Sequence, residues 1–220
     1  MKTILILNPN SSAAVTEKMK EGCAAIDLHP RHRASFHTLT GTPEGIESQR
    51  DVESVVIPTC EFLLSHPADA YVIGCFSDPG LALCREELRA PVVGIAEAAY
   101  REASLIGKRF GVVSIGAGSI ARHARAIAAL GLGSRLAGDR PLDLGVLELL
   151  DAERSIARII EVGRQLLDTD GADVLVLGCA TMGVYRPRIE EALTVPVVDP
   201  TQAGVLRASA LLSFGYKNLY

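Results

Sequence analysis

The 220-residue sequence contains no tryptophan, and aromatic residues make up only 5% of it. Its 22 basic and 26 acidic residues leave a formal net charge of −4, and no run of lysine and arginine forms a basic patch. Because a nucleic-acid-binding surface needs positive charge or stacking aromatic side chains, the composition argues against nucleic acid as a partner. No stretch of 18 apolar residues occurs, which argues against a membrane-spanning helix.

The first apolar run is too short for the core of an export signal. It covers Ile4–Leu7 and ends at an asparagine, whereas signal peptides carry a longer apolar segment. The five cysteines are an odd number and lie scattered along the chain. They favour free thiols in a reducing compartment over a disulfide framework. We therefore expect a cytoplasmic protein in which a special cysteine has a chemical role.

Short apolar runs alternate with longer amphipathic segments along the whole chain. The runs predict strands at Thr3–Leu7, Ala34–Leu39, Ala70–Gly74, Val92–Ile95, Phe110–Ser114, Val174–Gly178 and Val195–Val198. The amphipathic segments predict helices at Val15–Ile26, Asp51–Ser65, Leu81–Leu88, Ser119–Leu130, Ala152–Leu167, Ile189–Leu193 and Ala203–Leu212. Apolar strands that alternate with helices are typical of parallel sheets covered on both faces. The sequence therefore predicts an α/β fold.

The second half of the chain repeats the first. The segment ADAYVIGC at 68–75 aligns with ADVLVLGC at 172–179, an offset of 104 residues. Downstream, APVVGIAEAA at 90–99 parallels VPVVDPTQA at 195–203 at nearly the same offset. Self-similarity over such a distance indicates an internal duplication.

The duplication predicts two pseudo-symmetric lobes, each a mostly parallel sheet flanked by helices. We expect the first lobe to cover residues 1–105 and the second to cover residues 106–220. The last helix, at 201–214, is a candidate to pack on the first lobe. An active site at the interface between the lobes follows from this arrangement.

Two cysteines occupy matching positions at the ends of predicted strands. Cys75 and Cys179 each follow an apolar strand and a glycine. Ligands of parallel α/β sheets bind beyond the carboxyl ends of the strands, where helix N-termini present free N–H groups. A helix N-terminus also lowers the pKa of a thiol. Asp78 and Thr181 are candidates to cap the helices that follow.

Two thiols on opposite sides of one carbon provide the chemistry of stereoinversion. One thiolate removes the α-proton, and the opposite thiol delivers a proton to the other face. We expect N–H donors at Phe76–Ser77 and Ala180–Thr181 to hold the enolate-like intermediate. The alternative is that both cysteines are structural, since cysteine is among the most buried residue types.

Three motifs in order resemble the aspartate/glutamate/hydantoin racemase superfamily, and most closely its hydantoin and allantoin racemase branch. They are Asn8–Ser12, Gly74–Leu81 and Leu177–Met182. The resemblance implies two pseudo-symmetric α/β lobes, cofactor-independent two-base racemisation and a homo-oligomer. It implies that Cys75 and Cys179 form the catalytic pair.

The resemblance also concerns the residues around the two cysteines. It assigns the N–H groups of Phe76, Ser77, Ala180 and Thr181 to the substrate's carbonyl oxygens. Thr181 stands where the family usually has glycine, so a hydroxyl is added beside a sulfur.

Other polar residues are further candidates for substrate binding. Asn8 and Asn10 follow the first strand, and Ser114 holds the matching place in the second half. The same asparagines also fit an ordinary turn and helix cap.

Gly116–Ala121 satisfies the pattern G-x-G-x-x-A after a strand, with Asp139 as a possible ribose ligand. This leaves a nucleotide-binding protein as an alternative, although the strand expected near 134–137 is short and poor. The histidines suggest no metal site, and His123 is interpreted as part of a solvated helix face.

The sequence as a whole predicts a racemase or epimerase that needs no cofactor and no metal. Its expected substrate is a small molecule, a 5-substituted hydantoin or allantoin. Amino acids such as aspartate or glutamate are second, because no arginine or lysine adjoins either cysteine motif. A decarboxylase or a cis–trans isomerase on the same scaffold is a further alternative.

Overall fold

The computed structural model describes residues 1–218 as two parallel four-stranded sheets covered by helices. The first sheet contains β1 (Lys2–Asn8), β2 (His32–Thr38), β3 (Ala70–Ile73) and β4 (Val92–Gly94), in the order β2-β1-β3-β4. The second contains β5 (Phe110–Ser114), β6 (Leu136–Pro141), β7 (Val174–Leu177) and β8 (Val197–Val198), in the order β6-β5-β7-β8. The identical strand orders confirm the predicted α/β fold with two matching halves.

Helices cover both sheets. They are α1 (Ala13–Cys23), α2 (Gln49–Ser54), α3 (Val56–Ser65), α4 (Leu81–Glu87), α5 (Ile95–Ile106), α6 (Ala117–Ala129), α7 (Ala152–Asp168), α8 (Arg186–Leu193) and α9 (Pro200–Phe214). Short 3-10 turns occur at Gly133–Arg135, Glu148–Leu150 and Met182–Tyr185. Within residues 1–218, no helix combines the length and the apolar character that crossing a bilayer requires.

Three elements differ from the sequence-based expectation. Helix α5 was not predicted, because strand β4 runs into it without an intervening polar loop. Strand β6 is longer than the poor strand expected near 134–137 and pairs in parallel with β5. The single helix predicted over Asp51–Ser65 is divided into α2 and α3 at Val55. Pro58 explains the division, because it lacks the N–H that would bond the carbonyl of Ser54.

The two halves exchange helices. The last helix of the first half, α5, packs on β5, β7 and β8, where Tyr100 lies against Phe110 in the core. The last helix of the chain, α9, packs on β1, β3 and β4, with Val205 in the core cluster of that sheet. Lys2 Nζ donates to the carbonyl of Leu212 at 3.0 Å, and this bond ties α9 to the first strand. Each sheet is therefore covered in part by a helix from the other half.

Two aspartates, Asp78 and Asp199, hold the exchanged helices. The Asp78 carboxylate accepts hydrogen bonds from the N–H groups of Ala96 at 2.9 Å and Glu97 at 2.8 Å, in the first turn of α5. The expectation that Asp78 caps the helix directly after it is wrong. That helix, α4, begins after Gly80, and the φ angle of 45° at Asp78 turns its side chain towards α5 instead. Asp199 caps α9 through the N–H of Gln202 at 2.7 Å.

The two carboxylates come from positions that are not equivalent in the internal repeat. The side chain of Asp78 fills the space beside Gly94, and that of Asp199 fills the space beside Gly183. In the repeat, PVVG at 91–94 matches PVVD at 196–199, so Gly94 and Asp199 are equivalent. The first half carries its carboxylate in the loop that follows Cys75, and the second half carries its carboxylate directly after the edge strand β8. In both halves a carboxylate caps the exchanged helix.

This exchange predicts a compensating pair of substitutions. Asp78→Gly removes the cap of α5 and lowers the free energy of unfolding by about 1–2 kcal/mol. Gly94→Asp alone is also destabilising, because its side chain meets the Asp78 carboxylate. The double variant supplies the carboxylate from the other side and is more stable than either single variant. Urea unfolding of the four proteins measures this coupling, and strictly additive effects would contradict it.

Buried Asp199 predicts a particular pH dependence of stability. Burial raises the pKa of Asp199 to about 7 from an ordinary value near 3.8, so the folded state favours its neutral form. The contribution of Asp199 to stability is present below pH 4 and is lost as the pH rises to about 7.

Asp199→Asn removes this titration. The quantity to measure is the free energy of unfolding of the native chain minus that of the variant. We expect this difference to fall between pH 4 and 7 and to level off above pH 7. Urea titrations across that range measure the difference. A difference that is constant or that rises with pH contradicts the assignment.

Candidate active site

Glycines place both cysteines at the ends of central strands. The N–H of Gly74 donates to the carbonyl of Leu7 at 2.7 Å, and the N–H of Gly178 donates to the carbonyl of Val113 at 2.8 Å. A side chain at Gly74 would collide with Met19, and one at Gly178 would collide with the backbone of β5. Only glycine permits this close approach. The residue that follows each glycine is the cysteine, at the carboxyl end of its sheet.

Both cysteines line one pocket between the two halves. The predicted binding residues Asn10, Phe76, Ser77 and Ala180 line it as well. Its other walls are formed by Val15, Ile46, Gly74, Ile115, Ser119, Arg122, His123, Val146 and Gly178. The duplicated cysteine loops thus meet at one cavity, as two groups acting on one substrate require.

The other three candidate residues lie behind the pocket wall. Asn8 is fully buried, and its amide donates to Asn10 Oδ1 at 2.7 Å. Ser114 is fully buried and contacts His123 and Asp139. Thr181 is also fully buried, and its Oγ1 lies 3.4 Å from the sulfur of Cys179. Each of the three contacts a residue that lines the cavity.

Burial opposes the ionisation of both thiols. It raises the pKa of Cys75 to about 12, and it raises the pKa of Cys179 as well. The expectation of thiols with lowered pKa values is therefore wrong. Helix α4 begins only at Leu81, too far along the chain for its first turn to act on Cys75 as expected.

The donors that oppose the effect of burial differ between the two thiols. The N–H of Ser77 and the charge of Arg122 lower the pKa of Cys75. The hydroxyl and N–H of Thr181 and the N–H of Ala180 lower the pKa of Cys179. A thiolate on either side is thus stabilised by groups already in place, but by different groups.

His123 is buried beside the cysteines and is not on a solvated helix face. Only 3% of it is exposed, and its ring meets Phe76 edge-on with the ring centroids 5.1 Å apart. Its Nδ1 lies 2.8 Å from the carboxylate of Asp139, which also contacts the Ser114 hydroxyl. Asp139 is therefore engaged within the protein and is not directed at a ribose. Because Nδ1 is engaged, Nε2 is the ring nitrogen left for the pocket.

Arg122 brings a positive charge into the pocket. Its Nη1 donates to the carbonyl of Gly118 at 2.9 Å, and its Nη2 donates to the carbonyl of Glu47 at 2.9 Å. The sequence shows no cation beside either cysteine motif, but α6 carries this one to the cavity from a distant part of the chain. One signal was available, since Arg122 and His123 lie in the first turns of the helix that follows β5.

Loops from both halves close one side of the pocket. Ile46 and Val146 contribute apolar side chains, and the N–H of Val146 donates to Glu47 Oε1 at 2.8 Å. The cavity measures about 40 Å³, which is room for roughly three water molecules.

No group of three or more histidine, cysteine, aspartate or glutamate side chains within residues 1–218 is arranged to hold a metal ion. All five cysteines are free thiols.

Comparison with known proteins identifies the family. The model of the Asp/Glu/hydantoin racemase family matches residues 4–208. A hydantoin racemase from Rhizobium meliloti is 36% identical over 97% of this chain and 90% of its own length. An allantoin racemase structure from Klebsiella pneumoniae superposes with a TM-score of 0.94 at 28% identity, covering 99% of this chain and 90% of that chain.

A more distant structure shares the fold alone. Glutamate racemase RacE1 from Bacillus anthracis superposes with a TM-score of 0.72 at 21% identity, over 97% of this chain and 82% of that chain. The family match agrees with the site, where Cys75 and Cys179 line one cavity. The chain belongs to the Asp/Glu/hydantoin racemase family and is an isomerase of the racemase type.

Proposed function

We propose that this protein racemises 5-substituted hydantoins or allantoin without a cofactor, with Cys75 and Cys179 as opposed acid and base. The observation that carries the proposal is that both thiols, from equivalent strand ends of the two halves, line one cavity. Two groups in that relation can address opposite faces of a single carbon.

The similar proteins support a cyclic ureide as the substrate. Their names give hydantoin and allantoin as the compounds on which they act, and the similarity covers nearly the whole chain. In such rings the stereocentre lies between a carbonyl and a nitrogen. The neighbouring carbonyl makes its proton removable, since it takes the resulting charge as an enolate. The proposed reaction therefore needs groups that move protons and hold an oxyanion, both of which side chains can supply.

Each turnover moves one proton on and one proton off the same carbon. A thiolate on one side takes the C5 proton, and the C–H electron pair becomes the carbon–carbon double bond of the enolate. The opposite thiol then protonates C5 from the other face, the carbonyl re-forms, and this second sulfur is left as the thiolate. The next turnover in the reverse sense, or proton exchange with water, restores the starting state.

Amino acids such as glutamate are the second candidate substrates. Arg122 supplies one positive charge in the pocket, whereas glutamate and aspartate each carry two carboxylates. The pocket walls are otherwise largely apolar, with Val15, Ile46, Ile115 and Val146. This lining suits a neutral ring better than a dianion. A decarboxylase or cis–trans isomerase would need only one of the two thiols, so the variants below distinguish it.

We also propose that the protein is a cytoplasmic homo-oligomer. Free thiols at all five cysteines support a reducing compartment. Exposed apolar side chains on α5 and α9, among them Leu105, Leu206 and Phe214, support an association surface there.

Replacing each cysteine separately tests the two-base mechanism. Cys75→Ser and Cys179→Ser should each abolish racemisation of a 5-substituted hydantoin as followed by optical rotation, because one face of C5 loses its acid or base. In deuterated water, each variant should still exchange the C5 proton of one enantiomer only, and the two variants should select opposite enantiomers. Proton NMR with pure enantiomers measures this exchange.

The double variant Cys75→Ser/Cys179→Ser gives the baseline for uncatalysed exchange. If either single variant racemises at the native rate, the two-base mechanism is wrong. Release of carbon dioxide from a substituted malonate, with no racemisation of hydantoins, would indicate a decarboxylase instead.

A further inference from the structure

Three of the four backbone donors expected to bind the substrate oxygen also act on the sulfurs. The N–H of Ser77 lowers the pKa of Cys75, and the N–H groups of Ala180 and Thr181 lower the pKa of Cys179. These groups stabilise the thiolates. Proton removal at C5 also places negative charge on the neighbouring carbonyl oxygen, which needs its own donors. We therefore searched the pocket wall for other donors.

Arg122 and Asn10, both on the pocket wall, each have a hydrogen-bond donor without a partner among residues 1–218. Arg122 Nε is buried and unpartnered, although both terminal nitrogens of the same guanidinium are bonded. Asn10 is 6% exposed, and only its Oδ1 is used by the protein. This oxygen accepts from Asn8 Nδ2 at 2.7 Å and from the N–H of Ser12 at 3.0 Å, which leaves Asn10 Nδ2 free.

Both donors are fixed in orientation before any substrate arrives. The carbonyls of Gly118 and Glu47 hold the plane of the guanidinium. The two donors to Asn10 Oδ1 determine which side of that amide faces the cavity. Donors that need no reorientation stabilise a developing charge more than mobile donors do.

Arg122 also forms no ion pair among the described residues. No carboxylate of the described residues lies within ion-pair distance of it. The charged groups that act on it are Asp51 and Arg125, with Cys75 on the pocket side. A guanidinium in such a site favours the arrival of negative charge.

We propose that Arg122 Nε and Asn10 Nδ2 form the oxyanion site, donating to the substrate carbonyl oxygen that becomes the enolate oxygen. The inference rests on the proposed function and identifies which residues carry the intermediate. The oxyanion is common to both directions of the reaction, because the same enolate forms whichever thiolate removes the proton. Loss of these donors must therefore slow proton removal by Cys75 and by Cys179 alike.

Arg122→Gln in each single-cysteine background tests the assignment. The native Arg122 and the variant are compared in Cys75→Ser and in Cys179→Ser, by the rate of C5 deuterium exchange with the enantiomer that each background accepts. We expect exchange to fall by about 100-fold or more in both backgrounds, with KM changed by less than about threefold; the fall is larger in Cys179→Ser, because the Arg122 charge also lowers the pKa of Cys75. A fall confined to one background would assign Arg122 to a thiol and would overturn the proposal, as would no fall at all.

Two further variants separate this role from a structural one. Arg122→Lys keeps the positive charge and lacks the Nε donor, and we expect it to remain at least about tenfold slower than the native protein. Asn10→Asp keeps the acceptor oxygen for Asn8 and Ser12 but loses the amide donor, and we expect a loss as large as that of Arg122→Gln. Native activity in either variant contradicts the proposal.

Arg125→Gln serves as the matched control. Arg125 is an exposed arginine on the same helix that bonds Gln49 outside the pocket, and its replacement should leave activity unchanged. Thermal unfolding of every variant verifies folding. If the native protein racemises no hydantoin or allantoin, the proposed function fails. If it does and the Arg122 and Asn10 variants match it, only the oxyanion assignment fails.

Discussion

The structure depends on the meeting of two thiols at the facing carboxyl ends of two parallel sheets. Desolvation raises the pKa of both Cys75 and Cys179 above the ordinary value for cysteine. The proposed chemistry needs one of them as a thiolate, so nearby donors and charges must stabilise the negative charge on its sulfur. Three N–H groups, the Thr181 hydroxyl and the Arg122 charge do so. The duplication places the two sulfurs at equivalent strand ends of the two halves, whereas the groups that stabilise each thiolate differ between the halves.

The exchange of helices makes this geometry a property of the whole chain. Helix α5 covers the second sheet and α9 covers the first, so displacement of one half from the other would expose apolar surface on both. Asp78 and Asp199 cap the exchanged helices through N–H groups of their first turns. The same carboxylates carry a pKa raised to about 7 by burial, which makes lobe packing sensitive to pH.

Local sequence signals predicted what lies on a single strand end. The Gly-Cys pairs, the repeated apolar strands and the residues next to the cysteines were assigned to the cavity before any tertiary information, and Asn10, Phe76, Ser77 and Ala180 do line it. The sequence did not predict residues that tertiary packing brings in.

His123 and Arg122 lie on α6, nearly fifty residues from the nearer cysteine, and helical periodicity alone does not tell which helix face meets another lobe. For the same reason Asp78 was assigned to the nearest helix in sequence, although it caps the nearest helix N-terminus in space. Strand β6 carries polar side chains that contact Ser114, His123 and Asp170. Its composition therefore resembles that of a loop.

The central claim is that two sulfurs act on opposite faces of one carbon. It is tested most directly by the isotope content of each enantiomer when the native protein acts on one pure enantiomer in deuterated water. Chiral separation and mass spectrometry at early times should find deuterium in nearly all of the product and protium in nearly all of the remaining substrate. Product that retains the original proton would mean that a single group serves both faces, and would contradict the account.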